Sequence, residues 1–177
     1  MNAQAQKEFQ KLEDFRTSLF QSLQGLDEAV LQHTEKGKGW NTLQVIDHLL
    51  ISERKSIAYI KKKMEYSDSL STSNFSNRIN ATLLQGILKV PIKFRAPKGV
   101  EQVRTDLKLV EVEEEYNQIR AALKTILEDI PEEMMNQNLF RHPLLGRMNI
   151  MAALGFFNSH FERHSKQITR IQKDYRS

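Results

Sequence analysis

Two histidines, His160 and His164, lie four residues apart in the C-terminal segment NSHFERHSKQI. In a helix, side chains at this spacing share one face with β-carbons about 6 Å apart, so two imidazoles can bind one ion at about 2.0–2.1 Å. The neighbouring Phe157, Phe161 and Ile168 predict that both rings border the apolar face and point into the protein. The pair is a candidate half of a metal site. The alternative is two core histidines that hydrogen-bond without a metal.

A metal site requires a third ligand from elsewhere in the chain. The sequence contains no cysteine, so the ligands must be nitrogen or oxygen atoms. His48 lies in the segment QVIDHLLISE, on a partly apolar helix surface where an unpaired imidazole is costly to bury, and is the best candidate. The zincin pattern is absent because Phe161 follows the first histidine of the pair. Glu162, rotated about 200° from His160, is expected to face solvent.

The other two histidines have weaker links to a site. His142 precedes a proline, so we predict that it is a turn residue whose ring braces the loop before the last helix. A place in the lining of the pocket is the alternative for His142. His33 lies in a polar linker and is expected to be solvated.

Carboxylates close to the candidate ligands could accept hydrogen bonds from the imidazole N–H groups that do not bind the metal. Glu53 lies about 140° around the helix from His48 and is a weak candidate for helix packing or for the second ligand shell. An exposed ion pair with Arg54 or Lys55 is the favoured interpretation of Glu53. Asp47 is expected to point outward.

Apolar residues recur at three- and four-residue steps in four long segments, which predicts four amphipathic helices. The first apolar stripe runs from Phe9 to Leu23 and is ended by Gly25. The second helix is predicted from an N-cap at Asn41, with Gln44 completing a capping box, to about 64. The other two are predicted from about 106 to 129, and from an N-cap at 149 to about 174.

The segment between the second and third helices has a different composition. Residues 67–78 are rich in serine and asparagine and are predicted to form a loop, and residues 79–90 are predicted to form a short helix. Two prolines and a glycine follow, so residues 91–104 should cross the surface in extended form, and residues 92–100 are a candidate pocket lip. We therefore predict an all-α fold: a four-helix bundle with a long irregular crossover between helices 2 and 3, in a single domain over residues 1–177.

Composition excludes several function classes. No apolar run approaches the roughly 20 residues that span a bilayer, and the polar N-terminus does not resemble a signal peptide, so we expect a soluble, cytoplasmic protein without membrane contact. The chain has a net charge of +4. Its densest basic cluster lies at 61–63, and an acidic cluster lies at 111–115. No aromatic-basic motif accompanies the charge, which disfavours nucleic acid as a partner and leaves a small-molecule substrate.

Two segments together resemble the DinB-like superfamily. GWNTLQVIDHLLISE is similar to its second-helix motif, in which a tryptophan and an N-cap residue precede a His-Leu pair. HPLLGRMNIMAALGFFNSHFERHSKQITRI is similar to its C-terminal motif, a His-Pro-x-x-Gly turn followed by a helix with His-x-x-x-His. The resemblance implies a bacillithiol-transferase-like four-helix bundle and a divalent metal, commonly nickel or zinc, with manganese or iron as alternatives. It also implies that the ligands are His48, His160 and His164.

The resemblance and the residues leave two classes of function open. The first is a metal-dependent enzyme, either a hydrolase or a transferase that adds a low-molecular-weight thiol to electrophiles. The second is a non-catalytic bundle that binds a metal or small ligand, with a homodimer through an exposed helix face as one form. An open coordination position beside a cavity would favour the enzyme, and a fourth protein ligand would favour the structural site.

Overall fold

The computed structural model describes residues 1–66, 70–73, 102–142 and 146–177. In these ranges the chain forms helices, one short hairpin and their connections. The helices are α1 (Ala3–Leu23), α2 (Glu28–Gln32), α3 (Thr42–Glu65), α4 (Leu109–Asp129) and α5 (Ile150–Tyr175), and the strands are β1 (Phe140–His142) and β2 (Gly146–Met148). The prediction of an all-α fold is confirmed.

Asparagine side chains begin three of the long helices. Asn2 and Asn149 each accept a hydrogen bond from the backbone N–H three residues further on, at 2.8 and 2.9 Å. At the start of α3, the Asn41 side chain accepts from the Gln44 N–H at 2.8 Å, and the Gln44 side chain accepts from the Asn41 N–H at 3.1 Å. These bonds satisfy backbone donors that a helix start leaves free, and the predicted capping box of α3 is confirmed.

The ends of α3 and α5 lie within one residue of their predicted positions, and Gly25, with φ of +75°, lies just beyond the end of α1. The start of α4 was predicted wrongly: the helix begins at Leu109 and not near residue 106. The backbone N–H of Arg104 donates a hydrogen bond to the Asp47 carboxylate of α3 at 2.8 Å. This bond holds the residues just before Leu109 outside α4.

The four long helices pack as a bundle. α3 contacts both α4 and α5, and α1 contacts the same two helices, so the order around the bundle is α1, α5, α3, α4. The predicted apolar stripes form the core between them. Its fully enclosed side chains include Leu12, Phe20, Leu23, Ile46, Leu49, Leu50, Ile60, Tyr116, Leu123, Leu127, Phe157 and Phe161.

A small β-structure between α4 and α5 was not predicted. β1 and β2 pair antiparallel, with His142 opposite Gly146, and residues 71–73 bond to the backbone of residues 136–138. Three-residue strands show too little alternation to be distinguished from a loop in the sequence. The short helix α2 was missed for the same reason of length, since one turn shows no periodicity.

The structural predictions for most of the crossover, residues 67–69 and 74–101, lie outside the described residues. These include the short helix at 79–90 and the candidate pocket lip at 92–100. In the part of the chain that the structure does describe, no helix is long and apolar enough to cross a membrane.

Candidate metal centre

Three histidines converge between two neighbouring helices. His48 comes from the middle of α3, and His160 and His164 come from successive turns of α5. The Nε2 atom of His160 lies 3.3 Å from Nε2 of His48 and 3.1 Å from Nε2 of His164. One nitrogen of each ring can be chosen so that all three lie within 4.8 Å of one another. The structure therefore brings together the three histidines that the sequence singled out.

Aromatic rings enclose the cluster. Trp40 lies just before α3, and its ring centroid is 4.9 Å from that of His48. Phe156, one turn before His160 on α5, stacks on the His160 ring at 5.2 Å with only 15° between the planes. His48, His160 and His164 are buried, with exposed fractions of 4%, 8% and 9% respectively. Both rings of the i, i+4 pair point into the protein, as predicted.

Burial keeps the two imidazoles of α5 neutral. Burial lowers the pKa of His160 well below its usual range, and the neighbouring His164 and His48 lower it further. The pKa of His164 is lowered to about 3, chiefly by burial and then by His48. Neutral imidazoles carry the lone pairs that metal ions require, so both rings are in the ligand form at neutral pH.

The spacing of the nitrogens fits a single ion. Two nitrogens that each lie about 2.0–2.1 Å from a tetrahedral ion are separated by roughly 3.3 Å, and at right angles around an ion by roughly 3 Å. The Nε2 separations of 3.1 and 3.3 Å fall in this range. Without a metal, two neutral imidazole nitrogens approach this closely only when one ring donates an N–H hydrogen bond to the other. The donor set therefore fits a divalent cation with nitrogen ligands.

Gln167 contacts the cluster, and the sequence analysis assigned it no role there. Its Oε1 lies 2.9 Å from Nδ1 of His164, on the side of the ring opposite Nε2. The signal was present in the sequence, because a residue three positions after a ligand shares its helix face. The corresponding Nδ1 of His160 is buried and has no hydrogen-bond partner among the described residues.

His142, at the end of β1, is close to the cluster but does not join it. Its ring packs edge-on against Phe156 at 4.8 Å between centroids, and Phe156 in turn stacks on His160. Burial lowers the pKa of His142 to about 4, so this ring is also neutral at pH 7. One aromatic ring thus separates His142 from the nearest candidate ligand, and its place in a pocket lining stays a prediction.

Glu53 is buried, so the interpretation as an exposed ion pair is wrong. Its carboxylate lies 2.9 Å from the Arg120 guanidinium of α4 and accepts a 2.7 Å hydrogen bond from the Tyr116 hydroxyl. Arg120 also lies 3.3 Å from Glu13 of α1. Burial raises the pKa of Glu53 despite the attraction of Arg120. Partners that lie 63 and 67 residues away in the sequence could not be inferred from the helical position of Glu53.

The outward orientation predicted for Asp47 was also wrong. Asp47, next to His48, is fully buried and is bound by the Arg104 side chain at 2.6 Å as well as by its backbone. His33 is not freely solvated, since its Nε2 lies 3.0 Å from Asp174 near the end of α5. Glu162 faces outward as predicted and pairs with a lysine one turn further along the helix at 2.8 Å.

Comparison with known proteins places this arrangement in a family. Residues 11–168 match the sequence profile of the DinB superfamily. Relatives from Bacillus cereus and Bacillus thuringiensis subsp. konkukian, both named "putative metal-dependent hydrolase", are 25% identical over 166 residues, which is 93% of this chain and 83% of theirs. The Bacillus subtilis protein YfiT, described as a "probable metal-dependent hydrolase with an unusual four-helix bundle topology", has the same fold, with a TM-score of 0.61 and 17% identity. That alignment covers 98% of this chain and 88% of YfiT.

Proposed function

This chain belongs to the DinB superfamily, and on that premise we propose that it is a metal-dependent hydrolase whose divalent ion is bound by His48, His160 and His164. The observation that carries the proposal is the convergence of three buried Nε2 atoms at 3.1 and 3.3 Å. The names of the relatives from Bacillus support the same activity.

Three histidine ligands suit catalysis better than a structural role. Catalytic zinc sites use three protein ligands and keep a position open, whereas structural sites are closed by a fourth. When bound there, a divalent ion supplies a Lewis acid that activates water near neutral pH. Among the described residues, the group of acidic and histidine side chains able to hold an ion contains only these three histidines.

The protein's own residues have defined tasks in this proposal. The three imidazoles present nitrogen atoms to one point, and burial holds His160 and His164 in the neutral form. Trp40 and Phe156 shield the rings from bulk water, which strengthens electrostatic interactions with a bound carbonyl group. Glu162 is committed to a surface ion pair, so a zincin-like general base at that position is not part of the proposal.

Nitrogen ligands restrict the choice of metal. Imidazole suits zinc, nickel, copper and iron, whereas magnesium and calcium prefer oxygen. Among these metals the family resemblance favours zinc or nickel as the native ion, and we propose a small molecule with a hydrolysable ester or amide bond as substrate. The thiol-transferase activity implied by the family resemblance would use the same three ligands.

A substrate screen tests the proposed function. Protein loaded with zinc or nickel is assayed against a panel of small esters and amides, and separately against an electrophile with and without added low-molecular-weight thiol. We expect metal-dependent hydrolysis that is lost in His160→Ala. Loss of the electrophile only in the presence of thiol would replace hydrolase by transferase, and inactivity of metal-loaded protein in both assays would contradict an enzyme of either kind.

A further inference from the structure

The hydrogen bond between Gln167 and His164 lies behind the histidine cluster. The amide oxygen of Gln167 is 2.9 Å from Nδ1 of His164, and Nε2 of the same ring is 3.1 Å from Nε2 of His160. His164 is 9% exposed, so water has little access to replace this contact. The two nitrogens of one ring therefore face two different partners.

The chemistry of the amide oxygen fixes the tautomer of the ring. A carbonyl oxygen accepts hydrogen bonds and cannot donate one, so a bond to Gln167 Oε1 requires the hydrogen on Nδ1. A neutral imidazole carries one N–H, and Nε2 then has the lone pair. This lone pair is directed at the point where the three Nε2 atoms converge.

We propose that Gln167 is a positioning residue that holds His164 in the Nδ1–H tautomer and so raises the affinity of the site for its metal ion. This inference rests on the proposed function, because it assigns a role to Gln167 at the same three-histidine site. It goes beyond the proposed function by adding a residue that does not touch the ion.

The two histidines of α5 are held in different ways, which makes the role of Gln167 separable. His160 Nδ1 has no hydrogen-bond partner in the described ranges, and its ring is fixed by stacking on Phe156. His164 instead donates a hydrogen bond from Nδ1 to the Gln167 amide oxygen. Removal of that bond allows the ring to adopt the Nε2–H tautomer, which has no lone pair on Nε2, the atom that faces the other two histidines. Loss of such an outer partner typically weakens metal binding by about 10- to 100-fold.

Zinc affinity of three variants tests the inference. Gln167→Leu removes the acceptor, Gln167→Glu keeps an acceptor oxygen at the same position, and Gln118→Leu makes the same replacement at an exposed site on α4 as a matched control. Zinc dissociation constants are measured by competition with a chromophoric chelator. Thermal melting of the metal-free proteins confirms that each variant is folded, and Gln167→Ala, a good helix former, serves if the leucine variant is not.

We expect Gln167→Leu to bind zinc about 10- to 100-fold more weakly than wild type. Gln167→Glu and Gln118→Leu should have zinc dissociation constants no more than a few-fold above that of wild type. Cobalt-substituted protein should show the same order in the titration of its visible absorption bands. Equal affinity of Gln167→Leu and wild type would overturn the role of Gln167, as would equal weakening in the leucine and glutamate variants. Failure of wild type itself to bind zinc or cobalt would instead refute the proposed function.

Discussion

Buried histidines of this protein are neutral at pH values where an exposed histidine is partly charged. Burial lowers the pKa of His142 to about 4 and that of His164 to about 3. The unfolded chain has histidine pKa values near 6.5, so below that pH it takes up protons that the folded protein does not. The free energy of unfolding therefore does not depend on these groups above about pH 6.5 and decreases as the pH falls from there towards the folded pKa values.

His142→Phe isolates the contribution of one such residue. Phenylalanine keeps an aromatic ring against Phe156 and removes the titrating group. Between pH 6.5 and 4, we expect the free energy of unfolding of the metal-free wild type to fall more steeply than that of the variant, by up to about 1.4 kcal/mol per pH unit. Urea denaturation at a series of pH values measures both slopes. Parallel curves for the two proteins would show that His142 is not buried as a neutral ring.

At the residue scale, the sequence predicted side chains whose environment is set by their own helix. The i, i+4 pair was assigned correctly to the interior because phenylalanines one turn away mark the buried face. Glu53 and Asp47 were assigned wrongly, because their partners come from another helix or from the end of the crossover. A buried carboxylate cannot be recognised from the sequence until the cation that compensates it is known.

At the scale of elements, α3 and α5 position the candidate ligands, and a buried ionic cluster joins α3 to α4 and α1. Glu53 of α3 and Arg120 of α4 have side chains that are only 1% and 3% exposed, and Glu13 of α1 reaches the same guanidinium. The Arg120 guanidinium also lies over the rings of Tyr116 and Phe161, at 5.2 and 5.9 Å from their centroids. Arg120 of this cluster therefore packs against Phe161, the residue that follows His160.

Removal of one partner from this pair should be costly. Glu53→Ala leaves the Arg120 charge buried with Glu13 as its remaining acidic partner, and we expect a loss of about 3–5 kcal/mol in the free energy of unfolding. The double variant Glu53→Leu/Arg120→Met replaces the pair by apolar side chains of similar size and should be clearly more stable than Glu53→Ala. Urea denaturation provides both values. A double variant no more stable than Glu53→Ala would show that the pair is not coupled.

Long helices were predictable because periodicity accumulates over many turns, and caps fixed the start of α3 at Asn41 and of α5 at Asn149. The start of α4 was not predictable, since Arg104 is held by Asp47 from another helix. The hairpin of β1 and β2 was too short to produce a pattern. Prediction failed where tertiary contacts, and not local sequence, decide the conformation.

At the scale of the whole molecule, the order of helices around the bundle explains how the site forms. α3 and α5 are neighbours, although 84 residues separate the end of α3 from the start of α5, which are Glu65 and Ile150. The sequence predicted the bundle from four apolar stripes, but four stripes alone do not determine which helices are adjacent. The convergence of His48 on the α5 pair therefore did not follow from the stripes; the family resemblance implied it, and the structure shows it.

Metal content is the most direct test of the central claim, that three histidines from α3 and α5 hold one divalent ion. Untagged protein, purified without a nickel column, is analysed by inductively coupled plasma mass spectrometry for wild type and for His48→Ala, His160→Ala and His164→Ala, each checked for folding by circular dichroism. The account predicts near-stoichiometric metal in wild type, with zinc or nickel predominant, and its loss in each folded variant. Wild-type protein that holds no metal after reconstitution with zinc, nickel or manganese, or folded variants that retain it, would contradict the account.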